Sequence, residues 1–362
     1  MDHTRREFLA QSITVGTILA ALGTRQAQAE DSQRAAPMSN QGTKALMSLF
    51  DLKYPIFQAP TGTTAGADVT IAVSSAGALG AIGLTWTPPD MARGMVTKIK
   101  AATNRPFAVN YVLTFEPAYL PIVLEAGAPI IQFSWGIPSK QVVSAVRASG
   151  ARLGVQVTSA GSARQALDLG ADYLVCQGTE AGGHVQGHRP LLEALVEVLA
   201  EAKQTPIVAA GGIGNGEGIR KVLMAGASGA MLGTRFVATQ ESWARADYKA
   251  ALSQAKARDT TLTVCFEGGW PNAPHRVLRN QVFEQWESAG CPPVGKRPGE
   301  GEVVGTLGER KLIRYSTAPP FGKATGALDD LCLYAGQSVE HIDDIPPAGK
   351  LVERLWAECL TG

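Results

Sequence analysis

A glycine-rich run that ends in a histidine is the strongest chemical signal in the sequence. It spans Gln177 to His184 and reads QGTEAGGH, directly after the apolar run Tyr173–Cys176. Glycines let a backbone approach a flat or charged ligand closely, and an imidazole with an ordinary pKa of about 6.5 can donate or accept a proton near neutrality. The run therefore predicts a ligand site, with His184 placed to meet the bound ligand. A surface histidine on a flexible loop is the alternative that the run alone leaves open.

Two further glycine loops predict a phosphate site. Gly211 and Gly212 follow one apolar run, and Gly233 and Thr234 follow the next one along the chain. Backbone N–H groups of such loops bind anions, and the Thr234 hydroxyl adds a donor. A simple tight turn is the alternative for Gly211 and Gly212.

Three amide side chains stand at the ends of apolar runs: Asn110, Gln156 and Gln177. An amide both donates and accepts hydrogen bonds, which suits a heterocycle with mixed edges, although each could also be a hydrogen-bonded core amide. The sequence lacks GxxxxGK[ST], HExxH and GxSxG motifs, and no GxGxxG opens a βαβ unit. Kinase and hydrolase functions are disfavoured accordingly.

The elements that must position these residues alternate between strands and helices. Eight strands are predicted, at Pro55–Ala59, Leu79–Ile82, Pro106–Asn110, Pro129–Phe133, Arg152–Gln156, Tyr173–Cys176, Pro206–Ala210 and Gly229–Leu232. The segments between them hold predicted helices at Ala67–Ser75, Pro89–Ala101, Pro117–Glu125, Ser139–Ala148, Ser162–Leu169, Leu191–Ala202 and Gly216–Ala225. Eight such units predict an α/β fold, a closed parallel (β/α)8 TIM barrel whose reactive face collects the loops after the strands.

The rest of the chain divides around this barrel, which we place at residues 49–241. Residues 30–48 are predicted to be a flexible lead-in, and residues 242–322 a helical and loop segment that caps the barrel mouth. Helices are expected there at Ala244–Ala257 and Arg276–Ser288. Residues 323–362 would close on the barrel with a last helix at Gly349–Leu360.

The N-terminus carries the pattern of a twin-arginine signal peptide over residues 1–29. Arg5 and Arg6 precede an apolar stretch from Ile13 to Leu22, and Ala27-Gln28-Ala29 supplies small residues for cleavage. This pattern predicts export to the periplasm or the medium. No later apolar run reaches the roughly 18 residues of a membrane span, so no stable membrane insertion is expected.

Composition excludes other functions. The formal net charge of +1 gives no electrostatic reason to bind nucleic acid. The five cysteines form no CxxC pair and no grouping with histidine, so we expect no metal site. Their pairing and the oligomeric state are left open.

The chain resembles the nitronate monooxygenase family, also called 2-nitropropane dioxygenases, from about Leu49 to its C-terminus. The most specific mark is the run Gln177–His184. The other marks are Pro55–Pro60, Pro106–Asn110, Ala209–Ile213, Met231–Thr234 followed by Glu241-Ser242, and Tyr334–Val339.

The resemblance implies an FMN-dependent oxidoreductase that oxidises nitronates or nitroalkanes with O2. Ala59, Pro60 and Asn110 would line the isoalloxazine ring, with Gln177, Gly182 and Gly183 on its other edges. Gly211, Gly212, Gly233 and Thr234 would hold the phosphate, and Thr61, Gln156, Met231 and Leu232 complete the expected cofactor site. His184 would face the substrate, either orienting a nitronate's oxygens or accepting a proton from a nitroalkane carbon, while the flavin passes an electron to oxygen.

Two other functions remain as alternatives. Relatives with the same GGH core include FMN-dependent enoyl-thioester reductases, which use NAD(P)H, and a periplasmic flavin-binding protein without catalysis is also conceivable. Some family members have lysine at the position of Gln156, so the charge near the flavin would differ in this chain.

Overall fold

The structure, a computed structural model, describes residues 40–361. The predicted signal peptide at 1–29 and most of the predicted lead-in lie outside the described residues. Within them, eight parallel strands form one sheet: Ile56–Gln58, Gly80–Gly83, Phe107–Val112, Ile130–Ser134, Arg152–Val157, Tyr173–Gln177, Ile207–Ala210 and Gly229–Leu232.

The sheet closes on itself. Each strand pairs with its neighbours in chain order, and the eighth pairs with the first. Between the first and second strands, Gln58 N–H donates to Leu79 O and Leu79 N–H donates to Ile56 O, both at 2.9 Å. The predicted (β/α)8 barrel is confirmed.

Helices cover the outside of the barrel, close one of its ends, or follow it in the chain. In chain order the helices are Gln41–Phe50, Ala67–Ser75, Pro89–Ala102, Leu120–Glu125, Lys140–Ala148, Ala160–Asp168, Leu191–Ala202, Gly216–Met224, Thr234–Val237, Ala246–Gln254, Gln281–Ser288 and Ala348–Thr361, with 3-10 turns at Gly62–Thr64, Ala257–Asp259, Leu328–Asp330 and Gln337–His341. Side-chain caps start several of them, as where Asn215 Oδ1 accepts from Gly218 N–H at 2.9 Å. The last helix packs between Gly216–Met224 and Ala67–Ser75 and so completes the outer ring.

The expectation of a flexible lead-in at residues 30–48 is wrong for residues 41–48, because they belong to the N-terminal helix. Thr43, Leu46 and Phe50 are buried on one face of this helix. The Phe50 ring lies edge-on to Tyr173 inside the barrel, with ring centroids 5.3 Å apart. The helix therefore plugs the N-terminal end of the barrel, opposite the mouth where the strands end.

The segment after the barrel contains strands that the sequence did not predict. Thr260–Thr263 pairs with His275–Leu278, and Val303–Leu307 pairs with Arg310–Ile313. The predicted helix Arg276–Ser288 begins only at Gln281, where Asn280 Oδ1 accepts from Phe283 N–H at 3.1 Å. Residues 276–278 are a strand instead, because they pair on both edges, with Thr260–Thr263 and with the two-residue strand Gly183–His184.

Two kinds of feature are absent from residues 40–361. None of the helices described there has the length and hydropathy needed to cross a membrane. Nor do three or more His, Cys, Asp or Glu side chains in this range come together as metal ligands.

Candidate active site

The loop after the sixth barrel strand places His184 at the mouth. Gly183 and His184 pair antiparallel with Arg276 and His275, and Val185 N–H donates to Pro274 O at 2.8 Å. Gly183 has φ +74°, a left-handed conformation that favours glycine. Gly182 is needed for space, since a Cβ there would lie 2.3 Å from Gly336 N.

Arg276 and Glu180 anchor the same loop. The Arg276 guanidinium donates from Nε and Nη2 to Thr179 O, at 3.0 and 2.8 Å. The Glu180 carboxylate accepts from Leu191 N–H at 2.9 and 3.0 Å, at the start of the following helix. These contacts hold the backbone before Ala181, and the pairing of Gly183 with Arg276 holds it after Ala181, so the glycine-rich run is a braced loop.

The His184 ring is partly buried among other rings. It stacks on Trp270, with centroids 4.0 Å apart and planes 21° apart, and Trp135 approaches edge-on at 6.1 Å. Its Nε2 atom is fully buried and has no hydrogen-bond partner among the described residues. A buried polar atom without a partner is costly in a folded protein, which makes this nitrogen a candidate for a catalytic or binding role.

Burial, together with the neighbouring His275, lowers the pKa of His184 to about 3. The imidazole is therefore neutral across the physiological range. A neutral imidazole carries one N–H and one lone pair, so it can hold a ligand without carrying charge.

His275 is fully buried behind His184, with ring centroids 5.3 Å apart. Its Nε2 accepts from Phe266 N–H at 3.1 Å, which leaves the proton on Nδ1 to be donated to Ala273 O at 2.9 Å. Burial lowers its pKa to about 4. This histidine is a neutral structural support.

Three glutamine amides form a network beneath the loop. Gln156 Nε2 donates to Gln177 Oε1 at 3.3 Å and to Gln186 Oε1 at 3.0 Å. Gln177 Nε2 donates to His184 O at 3.2 Å, and Gln186 N–H donates to Gln177 Oε1 at 2.9 Å. Trp135 N–H donates to Gln186 Oε1 at 2.9 Å. Gln156 and Gln177, expected at a heterocycle, thus have partners in the protein and position His184 and Trp135.

Asn110 belongs to a second polar chain inside the barrel. Tyr173 OH donates to Gln132 Oε1, and Gln132 Nε2 donates to Asn110 Oδ1, both at 3.0 Å. Asn110 Nδ2 in turn donates to Ser134 Oγ at 3.2 Å. Asn110 thus lies between Gln132 and Ser134 in this chain, and its two hydrogen bonds fix the orientation of its amide.

The two glycine loops expected to bind phosphate lie on neighbouring strands. Gly211 and Gly212 have φ values of +126° and +71°. The N–H groups of Gly212, Gly233 and Thr234 form no hydrogen bond within residues 40–361. Thr234 Oγ1 accepts from Gly336 N–H at 2.9 Å, and its own proton remains available. These donors lie at the ends of two neighbouring strands, Ile207–Ala210 and Gly229–Leu232.

The end of the first strand borders this region. Ala59 N–H donates to Leu232 O at 2.9 Å, and a Cβ on Gly233 would contact Ala59 and Thr61 at 3.6 Å. Pro60 is partly buried in the same turn, and Met231 belongs to the cluster inside the barrel. Leu232 is an exception among the expected residues: its side chain lies in the core between sheet and helices, because successive side chains of a strand point to opposite faces.

The sequence did not reveal several residues that surround His184. Trp135, Trp270, Tyr334, His275 and Gln186 all contact His184 or its loop. Trp135 directly follows the fourth strand, which is a usable signal in a barrel of this type. Trp270 and His275 come from the segment after the barrel and have no local signal.

The fold and the chemistry gathered at its mouth are those of a (β/α)8-barrel enzyme. The family model described as nitronate monooxygenase matches residues 43–119 and 117–358. The chain therefore belongs to the nitronate monooxygenase family and is an oxidoreductase.

Individual proteins are similar to this chain over most of its length. A nitronate monooxygenase of Paraburkholderia phytofirmans is 32% identical over 364 residues, which cover 88% of this chain and 95% of the relative. The structure is similar to FabK from Thermotoga maritima, with a TM-score of 0.72, 27% identity, and coverage of 87% of this chain and 95% of FabK. It is also similar to nitroalkane oxidase from Streptomyces ansochromogenes, with a TM-score of 0.70, 30% identity, and coverage of 87% and 97%.

Proposed function

We propose that this protein is an FMN-dependent enzyme that oxidises small nitronates with O2. The observation that carries the proposal is the buried, unpartnered Nε2 atom of His184 at the barrel mouth. Family membership and the names of the two oxidising relatives support the reaction class.

The residues at the mouth suit FMN. Gly211, Gly212, Gly233 and Thr234 would hold the phosphate, since free N–H groups and a free hydroxyl proton meet there. Ala59, Pro60, Thr61 and Asn110 would lie along the ring system, and Gly182 and Gly183 would let the backbone approach it. Bound FMN would supply the electron acceptor that no side chain of this chain can replace.

His184 would bind the substrate as a neutral hydrogen-bond donor. With its proton on Nε2, the imidazole can donate to one oxygen of a nitronate and orient the anion. The low pKa makes this imidazole a weak base for a neutral carbon acid. We therefore propose that the enzyme uses the anionic nitronate as a better substrate than the neutral nitroalkane. A bound anion would raise the pKa of His184 again, because an opposite charge favours the imidazolium.

The experiment starts from the purified protein. We expect it to release FMN on denaturation and to consume O2 with alkyl nitronates faster than with the parent nitroalkanes. Release of FAD, or no flavin after reconstitution, would contradict the cofactor proposal. NADH consumption that depends on an enoyl thioester would favour the reductase alternative, and bound FMN without turnover of either substrate would favour a flavin-binding protein.

We also propose that the protein is exported by the twin-arginine route and works in the periplasm or the medium. The support is the order of Arg5-Arg6, the apolar stretch and the small residues before position 30. Changing both arginines to lysine should leave the protein in the cytoplasm. An exported fraction that still begins at Met1 would contradict the assignment.

A further inference from the structure

Four aromatic side chains form a continuous cluster next to His184, and we call Trp86, Phe115, Trp135 and Trp270 the mouth cluster. Trp270 is at its centre, with ring centroids 4.7 Å from Trp135, 5.4 Å from Phe115 and 6.1 Å from Trp86. Trp86 and Phe115 also meet edge-on at 5.2 Å. A further ring, Tyr334, contacts His184 but not these four, and its centroid lies 5.4 Å from that of His184.

The mouth cluster lies across the barrel from the glycine loops. Trp86, Phe115 and Trp135 follow the second, third and fourth strands, whereas the expected phosphate donors follow the seventh and eighth. In a closed barrel of eight strands, the third and fourth stand opposite the seventh and eighth. The cluster is therefore placed to contact the substrate beyond His184, away from the phosphate of a cofactor.

The cluster also connects solvent with the histidine. Trp86 is 58% exposed and Trp270 is 6% exposed, so the rings lead from the surface to the imidazole. A single exposed apolar side chain is ordinary, whereas an apolar patch that several side chains form together marks a ligand groove or an interaction site. At the inner end, Trp135 has φ +58°, which is uncommon for a bulky residue, and Gln186 holds its N–H. Such strained backbone is typical of ligand sites.

From this arrangement we infer that the substrate carries a flat aromatic group, which binds against the mouth cluster while its anionic end reaches His184. The inference rests on the proposed function, because it takes the anionic end to be a nitronate. The stacking of the Trp270 ring on the His184 imidazole at 4.0 Å establishes that the surroundings of the histidine accept a flat ring. Rings that meet edge to face gain more from an aromatic partner than from a saturated one of equal size.

Two carboxylates test the inference, since a carboxylate imitates the planar anionic end of a nitronate without reacting. Phenylacetate and cyclohexylacetate have the same carbon skeleton and charge and differ only in the aromaticity of the ring. Calorimetric titration of the flavin-loaded protein should give a dissociation constant about 2- to 12-fold lower for phenylacetate, the range expected for one aromatic contact. Equal affinities, or tighter binding of cyclohexylacetate, would overturn the inference.

Variants locate the preference in the mouth cluster. Trp270→Ala should bring the two affinities together, whereas Trp270→Phe should keep the preference. Trp86→Ala, at an exposed position that does not endanger folding, should reduce the preference. Tyr119→Ala, which removes an exposed ring outside the cluster, should leave the preference unchanged. A preference that survives both Trp270→Ala and Trp86→Ala would overturn the assignment.

The outcomes are independent of those for the proposed function. A clear preference for phenylacetate in a protein that oxidises no nitronate would refute the proposed reaction and leave the aromatic site standing. Nitronate oxidation without any aromatic preference would refute this inference alone.

Discussion

The buried His275 makes the fold sensitive to acid, and the size of the effect follows from its surroundings. The ordinary pKa of histidine is about 6.5, and burial lowers that of His275 to about 4 in the folded protein. As pH falls below about 6.5 the unfolded chain takes up a proton that the folded protein refuses until about pH 4. The free energy of unfolding therefore falls across this window. Each unit of difference between the folded and unfolded pKa corresponds to about 1.36 kcal/mol, so the total loss is about 3 kcal/mol.

Urea unfolding at pH 7, 5.5 and 4 measures this loss, followed by tryptophan fluorescence or circular dichroism. His275→Gln removes the titrating group and keeps a side chain that can donate and accept hydrogen bonds. We expect the variant to be less stable at pH 7 but to lose about 3 kcal/mol less than the wild type on acidification. The low pKa of His184 acts in the same direction, so part of the acid sensitivity should remain in the variant.

Replacing the exposed His188 gives the matched control, and His188→Gln should reproduce the wild-type dependence on pH. Equal acid sensitivity of the wild type and His275→Gln would refute the reasoning. It would mean that His275 is protonated in the folded protein and that its hydrogen bonds differ from those described.

Two further substitutions test how the His184 loop is held. Gln186→Ala removes the acceptor for Trp135 N–H and one of the two acceptors for Gln156 Nε2. A donor left unpaired in a buried site costs about 1–3 kcal/mol. Turnover should fall at least tenfold with the FMN content unchanged, and Gln186→Glu should recover part of it. Full activity in Gln186→Ala would contradict the role of the network. Gly182→Ala places a Cβ 2.3 Å from Gly336 N and should clearly lower the melting temperature. Gly183→Asn should be tolerated, because position 183 has open space and a φ of +74°, which asparagine can adopt. Thermal melts compare the two variants, and a lower melting temperature for Gly183→Asn than for Gly182→Ala would contradict the packing at Gly182.

Local patterns predicted the barrel because each strand and helix carries its own signal. Apolar runs of four to six residues alternate with amphipathic segments from Ile56 to Leu232, and this alternation alone indicates parallel βα units. The glycine loops and His184 carry a local signal for a similar reason, since loops after barrel strands form the reactive face.

What the sequence could not predict depends on contacts between distant parts of the chain. The local sequence predicts a helix at Arg276, but the residue lies in a strand because Thr260–Thr263 and Gly183–His184 pair with that strand on either side. Trp270 meets His184 only because those strands return the chain to the mouth. Leu232 was assigned to the site by its place in a motif, although strand alternation turns its side chain into the outer core. The helix Gln41–Phe50 was missed because its polar residues obscured one buried face.

The most direct test of the central claim is the anaerobic rate of flavin reduction by an alkyl nitronate in His184→Ala and His188→Ala, each loaded with FMN. The account predicts that His184→Ala keeps its flavin spectrum while the rate falls about 10²- to 10³-fold, as on loss of one positioned donor. His188→Ala should react like the wild type. Normal flavin reduction in His184→Ala, or a loss confined to His188→Ala, would contradict the placement of the active site at His184.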